Sequence, residues 1–226
     1  MAVDYSQIEL RLLAHLSGDE HLVRAFNEGE DFHAETAARV FGVPVSEVTP
    51  DLRSRAKAVN FGIVYGQQAY GLSQSLHISM AEARDMIDRY YEAYPGVRTF
   101  LDNVVARAKQ TGYAETMYGR RRHIPELKAK NPQLRGFGER TAMNHHAGNR
   151  RRHHQDRDGP RKPPPGRGSF AAHMILQVHD ELDFECPIDE VERLTTMVRD
   201  VMEHVVDLRV PLIAEASTGI TWADAK

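Results

Sequence analysis

The chain has 226 residues, 41% of them hydrophobic and 27% charged, and a net charge of −3 at neutral pH. That length and apolar content build one or two cores of ordinary size and exclude a disordered tail, while the slightly acidic balance leaves any contact with nucleic acid to local basic clusters. A single cysteine, Cys186, excludes an internal disulfide and fits a reducing compartment; no leader pattern or apolar run of roughly 18 residues is present, which predicts a cytoplasmic protein with no membrane partner.

Ala2 to Tyr5 reads as the end of a strand, and Ile8, Leu12, Leu13 and Leu16 then repeat at helical spacing up to Gly18. Asp4 stands at the junction. A lone carboxylate there commonly caps the helix, but paired with a distant carboxylate it suits magnesium, which takes oxygen ligands. Two short helices are predicted at Leu22 to Phe26 and Phe32 to Phe41, with His33 near the start of the second. Pro44, Ser46 and Pro50 mark a loop.

After the loop, Arg53, Lys57, Phe61 and Tyr65 recur every four residues ahead of Gly66. Each step advances about 40° round a helix, so two cations and two aromatic rings share one slowly winding face. Arg offers a planar fork for phosphate oxygens, Lys a point charge, and the rings a stacking surface. An amphipathic surface helix with two solvated cations and two core aromatics would show the same spacing.

Met80 to Thr111 reads as a helical hairpin broken near Pro95-Gly96, with the second helix starting at Val97. Two short β-prone pieces precede the basic turn Gly119-Arg120-Arg121-Arg122. Phe137 to Asn144 begins another helix, on which Arg140 and Asn144 share a face. Met174 to Val178 and Leu182 to Cys186 are β-prone runs joined by a tight turn at His179-Asp180-Glu181, which lifts adjacent carboxylates off a sheet edge. Ile188 to Leu208 reads as a long amphipathic helix, and Val210 to Ile213 with a last strand near Ile220 as the return to the sheet.

Three of these stretches, in this order, resemble motifs of the family A DNA polymerases: Asp4-Tyr5-Ser6-Gln7-Ile8-Glu9-Leu10-Arg11, the Arg53 to Gly66 helix, and Gln177-Val178-His179-Asp180-Glu181. The resemblance implies an α+β fold in which an antiparallel palm sheet with helices carries an inserted, mostly α-helical fingers subdomain. It divides the chain into palm (1–16), fingers (17–136) and palm again (137–226), and marks it as a C-terminal fragment. Asp4 and Asp180 would be the two metal-binding aspartates, with the Tyr5 carbonyl beside the first and Glu181 as an auxiliary carboxylate. Two Mg2+ ions would be the cofactors. Arg53, Lys57, Phe61, Tyr65, Gln7 and His33 would bind the nucleotide, with Lys57 also placed to protonate the leaving pyrophosphate. Glu9 would crowd the sugar 2′ position and exclude ribonucleotides, and Phe61, where a Tyr can stand, looks like the form that discriminates against dideoxynucleotides. Arg140, Asn144, Gln177, His179 and the basic turn at Arg120 and Arg121 would contact DNA. Primer–template DNA and deoxynucleoside triphosphates would be the partners of a monomer.

The resemblance breaks from His145 to Phe170. This stretch holds seven Arg and Lys against two Asp, carries Pro160, Pro163, Pro164 and Pro165, and has no Val, Ile, Leu or Met; such a composition does not form a buried helix. Back-translated with free third bases and read one base later, 145–149 permits Thr-Met-Gln-Gly-Thr and 150–158 permits Ala-Ala-Asp-Ile-Ile-Lys-Ile-Ala-Met, which resembles the missing family helix. Two compensating frameshifts, one after Asn144 and one before Ala171, account for the segment; a basic linker is the alternative. The expected reaction is template-directed addition of deoxynucleotides to a primer 3′ hydroxyl. The alternatives are a catalytically impaired DNA-binding remnant and a metal-dependent phosphohydrolase built on His179-Asp180, for which His145, His146, His153 and His154 supply no ligand at convincing spacing.

Overall fold

A computed structural model describes residues 1–147 and 170–225, and the centre of the basic segment, 148–169, lies outside the described residues. In chain order the elements are β1 (Ala2–Tyr5), α1 (Ile8–Ser17), α2 (Glu20–Glu28), α3 (Phe32–Phe41), α4 (Pro50–Val64), α5 (Ala69–Leu76), α6 (Met80–Ala93) and α7 (Pro95–Thr111). They continue with β2 (Tyr113–Glu115), β3 (Arg121–His123), α8 (Pro132–Ala147), β4 (His173–Val178), β5 (Glu181–Glu185), α9 (Val191–Glu203) and β6 (Ala214–Ser217). Short 3-10 turns cover Val45–Glu47, Pro125–Lys128, Ile188–Glu190 and Trp222–Ala225. The fold is α+β, as expected. By contacts the chain divides into one unit of Met1–Ile8 with Arg150–Lys226 and another of Glu9–Asn149.

The first unit is built on an antiparallel sheet of order β4-β5-β1-β6. Side chains alternate along each strand. Val3 and Tyr5 are buried, and the Tyr5 hydroxyl donates to the carbonyl of Met202 at 2.7 Å, so this face packs on α9 through Leu194, Val198 and Met202. The other face carries Ala2 and Asp4. At the β4 edge the register slips between Met174 and Leu176, which leaves Ile175 as the extra residue of a bulge. Met174, Ile175 and Leu176 are all exposed.

Two expectations in this unit need correction. The long helix is shorter, Val191–Glu203, because Ile188–Glu190 forms a separate 3-10 turn after Pro187. The last strand is Ala214–Ser217, set by its pairing with β1, and Ile220 is fully exposed.

Most helices of the second unit start where the sequence supplies a cap. The carboxylates of Asp19 and Asp31 accept from the first turns of α2 and α3, Thr49 caps α4, and Ser79 with Glu82 makes a reciprocal capping box on α6. Helix α7 starts at Pro95, two residues earlier than expected, since a proline in the first turn forfeits no helical hydrogen bond. Val104, Ala108, Ala114, Ile124, Leu127 and Ala142 form one apolar core with Phe100 packed against it. Helix α8 starts five residues before Phe137. It runs through Gly138, where a Cβ would lie 2.9 Å from the Leu127 main-chain nitrogen; the glycine lets the helix back onto the Pro125–Lys128 turn.

Candidate functional site

Helix α4 buries Ala56, Val59, Asn60, Ile63 and Val64 on one side. Arg53, Lys57 and Tyr65 are exposed on the other, with Phe61 half-buried among them. The aromatic residues are therefore not core residues, and the four-residue repeat is a solvent-facing stripe. The helix ends in a Schellman motif: Gln67 N–H donates to the Gly62 carbonyl at 2.7 Å and Gly66 N–H to that of Ile63 at 3.0 Å. Gly66 has φ +67, and a Cβ there would meet Met143 Sδ at 3.0 Å and Arg140 Cγ at 3.5 Å. Arg140 on α8 thus lies against the Tyr65 end of the stripe.

Both ends of the stripe are held by carboxylates. Arg53 Nε donates to Asp31 Oδ2 at 2.7 Å, while Asp31 Oδ1 accepts from the main-chain N–H groups of His33 and Ala34. The Arg53 side chain and these amides hold the Asp31 carboxyl below its usual range even though partial burial opposes them. At the other end the Tyr65 hydroxyl donates to Glu9 Oε1 at 2.8 Å, and Glu9 is buried.

Under the stripe, His33 is only 3% exposed. Its Nδ1 lies 3.0 Å from Asn60 Nδ2, and its ring stands 5.9 Å from that of Phe61. Burial, then the positive charges of Arg53 and Lys57, pull its pKa from 6.5 down to about 4, against the opposing pull of Asp31. His33 is therefore neutral at neutral pH. With Asn60 donating to Nδ1, the ring proton sits on Nε2. Thr36 Oγ1 lies within 3.2 Å of both Asn60 Oδ1 and the Tyr94 hydroxyl, so α3, α4 and the α6–α7 junction are tied by one buried network. Burial pushes the Tyr94 pKa to about 12.

In the sheet unit, Asp4 lies directly opposite Glu181 of β5 and Glu215 of β6. Residues directly opposite in antiparallel strands project to the same face. Val178 pairs with Glu181, so the turn consists of His179 and Asp180 alone, and Glu181 belongs to the strand and not to the turn. His179 takes φ +56, a left-handed conformation uncommon for a residue with a side chain. Gln7, φ +54, makes the corresponding bend after β1, and its Oε1 is buried with no hydrogen-bond partner among the described residues. Glu181 Oε1 accepts from the Trp222 indole Nε1–H at 2.9 Å.

The sequence profile of DNA polymerase family A matches residues 1–147 and 165–224. The chain belongs to DNA polymerase family A. DNA polymerase I of Geobacillus stearothermophilus is 46% identical over the whole of this chain, and that of Bacillus subtilis 48%. The chain spans 26% of the length of these relatives. The solved POL domain of Pol1 from M. smegmatis, in complex with DNA primer-template and dNTP, superposes with a TM-score of 0.85 at 40% identity, over 99% of this chain and 40% of that one. The family A profile passes over 148–164, within the stretch where the resemblance breaks.

Among the remaining family A candidates, Arg121 and Arg122 lie in β3 and not in a turn, because Tyr113–Glu115 pairs with Arg121–His123. Arg121 donates to Glu115 at 2.6 Å and stacks on Tyr113, 4.7 Å from its ring centre. Arg120 is exposed, and its carbonyl lies 3.0 Å from His145 Nε2. Asn144, Gln177 and His179 are exposed. Among the described residues no three His, Cys, Asp or Glu side chains gather in an arrangement that would hold a metal ion, and no helix is long and apolar enough to cross a membrane. Sequence reasoning missed Asp31, Asn60, Thr36, Tyr94 and Trp222. The one available signal was Asn60, a polar residue on the buried face of a strongly patterned helix.

Proposed function

We propose that this chain carries the nucleotidyl-transfer centre of a DNA-directed DNA polymerase, with palm at 1–16 and 137–226 and fingers at 17–136. The observation that supports it most is the pairing of β1 with β5, which sets Asp4 directly opposite Glu181, with Asp180 in the turn just before β5. The donors are all hard oxygens. That fits Mg2+, which is usually held by one or two carboxylates and completes its shell with water and substrate phosphates. Asp4, Asp180 and the Tyr5 carbonyl would hold two such ions, with Glu181 auxiliary. When bound, the ions lower the pKa of the primer 3′ hydroxyl and neutralise charge on the triphosphate.

The protein's own groups supply the rest. Arg53 and Lys57 bind the triphosphate, Lys57 delivers a proton to the departing pyrophosphate, and neutral His33 offers its Nε2 proton to a phosphate oxygen. Gln7 contacts the nucleotide. Phe61 and Tyr65 line the base and sugar, while Glu9, fixed by the Tyr65 hydroxyl, excludes a 2′ hydroxyl. Arg140, Asn144, Gln177, His179, Arg120 and Arg121 meet primer–template DNA. In the test, Asp180→Ala abolishes primer extension while the circular dichroism melt is unchanged; normal extension by that variant overturns the assignment. A second reading, a DNA-binding chain without catalysis, is favoured by the stretch 148–164 that the family profile passes over. A gel shift of primer–template by the unmodified chain with no extension would select it.

A further inference from the structure

We propose that Tyr94, Thr36 and Asn60 are positioning residues for His33: they pass hydrogen-bond donation in one direction, from the α6–α7 junction to the ring, and so hold its proton on Nε2, the nitrogen that meets the triphosphate. This rests on the reading of His33 as a nucleotide contact. A neutral imidazole has one N–H, and which nitrogen bears it is set by the partner of the other. With the proton on Nε2 the ring donates to a phosphate oxygen; with the proton on Nδ1 it turns a lone pair on the anion. Asn60 meets Nδ1 at 3.0 Å. It does not decide the matter alone, because a carboxamide can present either an N–H or an oxygen.

The residues behind Asn60 decide it. Tyr94 stands 3.2 Å from Thr36 Oγ1. Burial pushes its pKa up to about 12, so the phenol keeps its proton and donates it to Thr36. Thr36 then has one hydroxyl proton to give, and two acceptors lie within reach of it, the Phe32 carbonyl at 2.9 Å and Asn60 Oδ1 at 3.2 Å. The Phe32 carbonyl already accepts the helical N–H four residues on, so the hydroxyl is shared as a three-centre bond, and Asn60 turns its oxygen to Thr36 and its amine to the ring. Turning the amide over would give its amine to Thr36 and its oxygen to an Nδ1–H, the opposite direction. His33, Thr36, Asn60 and Tyr94 are all buried, where polar groups polarise one another strongly and the donor at Tyr94 is felt at the ring. If the network only tied the helices together, either direction would serve; a phosphate at Nε2 requires one.

The full chain is labelled with 15N histidine, and the ring nitrogens are read through their long-range couplings to the ring protons at pH 8, with His33→Gln identifying the His33 signals among those of 12 histidines. His33 should show Nδ1 as the unprotonated nitrogen and Nε2 as the protonated one. Thr36→Val, which keeps the shape of the side chain but not its hydroxyl, should move a measurable share of the ring to the Nδ1–H form, and Thr36→Ser should restore it; a residue that only packs would leave the tautomer unmoved. Titration with dGTP, followed at the His33 Nε2 signal, should give binding about three- to tenfold weaker in Thr36→Val, since a whole hydrogen bond to a charged group is worth roughly tenfold or more. A protonated Nδ1 in the unmodified chain, or the same tautomer in Thr36→Val as in the unmodified chain, overturns the proposal and leaves the nucleotide reading standing. Should Thr36→Val not fold, Tyr94→Phe, which removes the donor one step further back, makes the same comparison. If dGTP does not move the His33 signals of the unmodified chain, the nucleotide reading falls and this proposal with it.

Discussion

His33 gives the most quantitative test of the buried network under α4. Its pKa falls from 6.5 to about 4 on folding. Between those values the unfolded chain binds a proton that the folded chain refuses, so stability falls as the pH drops through this window. One pKa unit is worth 1.36 kcal/mol; the 1.5 units between pH 6.5 and 5 therefore remove about 2 kcal/mol relative to pH 8, rising to about 3 kcal/mol near pH 4. Carboxylates also titrate there, so the variant His33→Gln, which cannot be protonated, supplies the reference. In urea unfolding followed by circular dichroism at pH 8 and pH 5, the variant should lose about 2 kcal/mol less than the unmodified protein. Parallel losses would refute the picture of a neutral His33 held between Asn60 and the cations of α4.

Three further outcomes are expected. Asp31→Asn keeps the cap on α3 but frees Arg53; the half-exposed ion pair is worth less than about 1 kcal/mol of stability, yet KM for the deoxynucleotide should rise severalfold with kcat within about twofold, and a fall in kcat alone would contradict the orienting role. Tyr65→Phe takes the hydroxyl donor from the buried Glu9 and should lower stability by about 1 kcal/mol in a thermal melt, with ribonucleotide incorporation rising as the Glu9 carboxylate loses this hydrogen bond. Gly138→Ala pushes a methyl into the Leu127 main chain and should cost about 1 to 3 kcal/mol; a melt equal to that of the unmodified protein would show that α8 does not pack on the Pro125–Lys128 turn.

The stripe on α4 was legible in the sequence because a four-residue repeat fixes the face whatever the rest of the fold does. The helix starts at Phe32 and Met80 were legible in the sequence, and Asp31 and Ser79 cap them. The sense of the stripe was not: only the burial of Val59, Asn60 and Ile63 shows that Phe61 and Tyr65 stay on the outside. The partners of the site residues were hidden for a plainer reason. Asp31 reaches Arg53 across 22 residues, Thr36 reaches Tyr94 across 58, and Trp222 reaches Glu181 across 41; no local pattern encodes such pairs. Strands β3 and β6 were misplaced because each has only three or four residues with little alternation, and their position is set by the partner strand.

The sheet order also has a kinetic consequence. Strand β1 lies between β5 and β6, so Asp4 pairs with Glu181 and Glu215, residues made 177 and 211 positions later. At roughly 5 to 20 residues per second, a ribosome needs about 10 to 35 s to reach the first of them. Throughout that interval the helical unit can form around its local contacts, while the strand bearing Asp4 remains an unpaired edge. The carboxylate face is therefore assembled later than the helical unit can be, and until β5 and β6 are made it is exposed to chaperones or to mispairing.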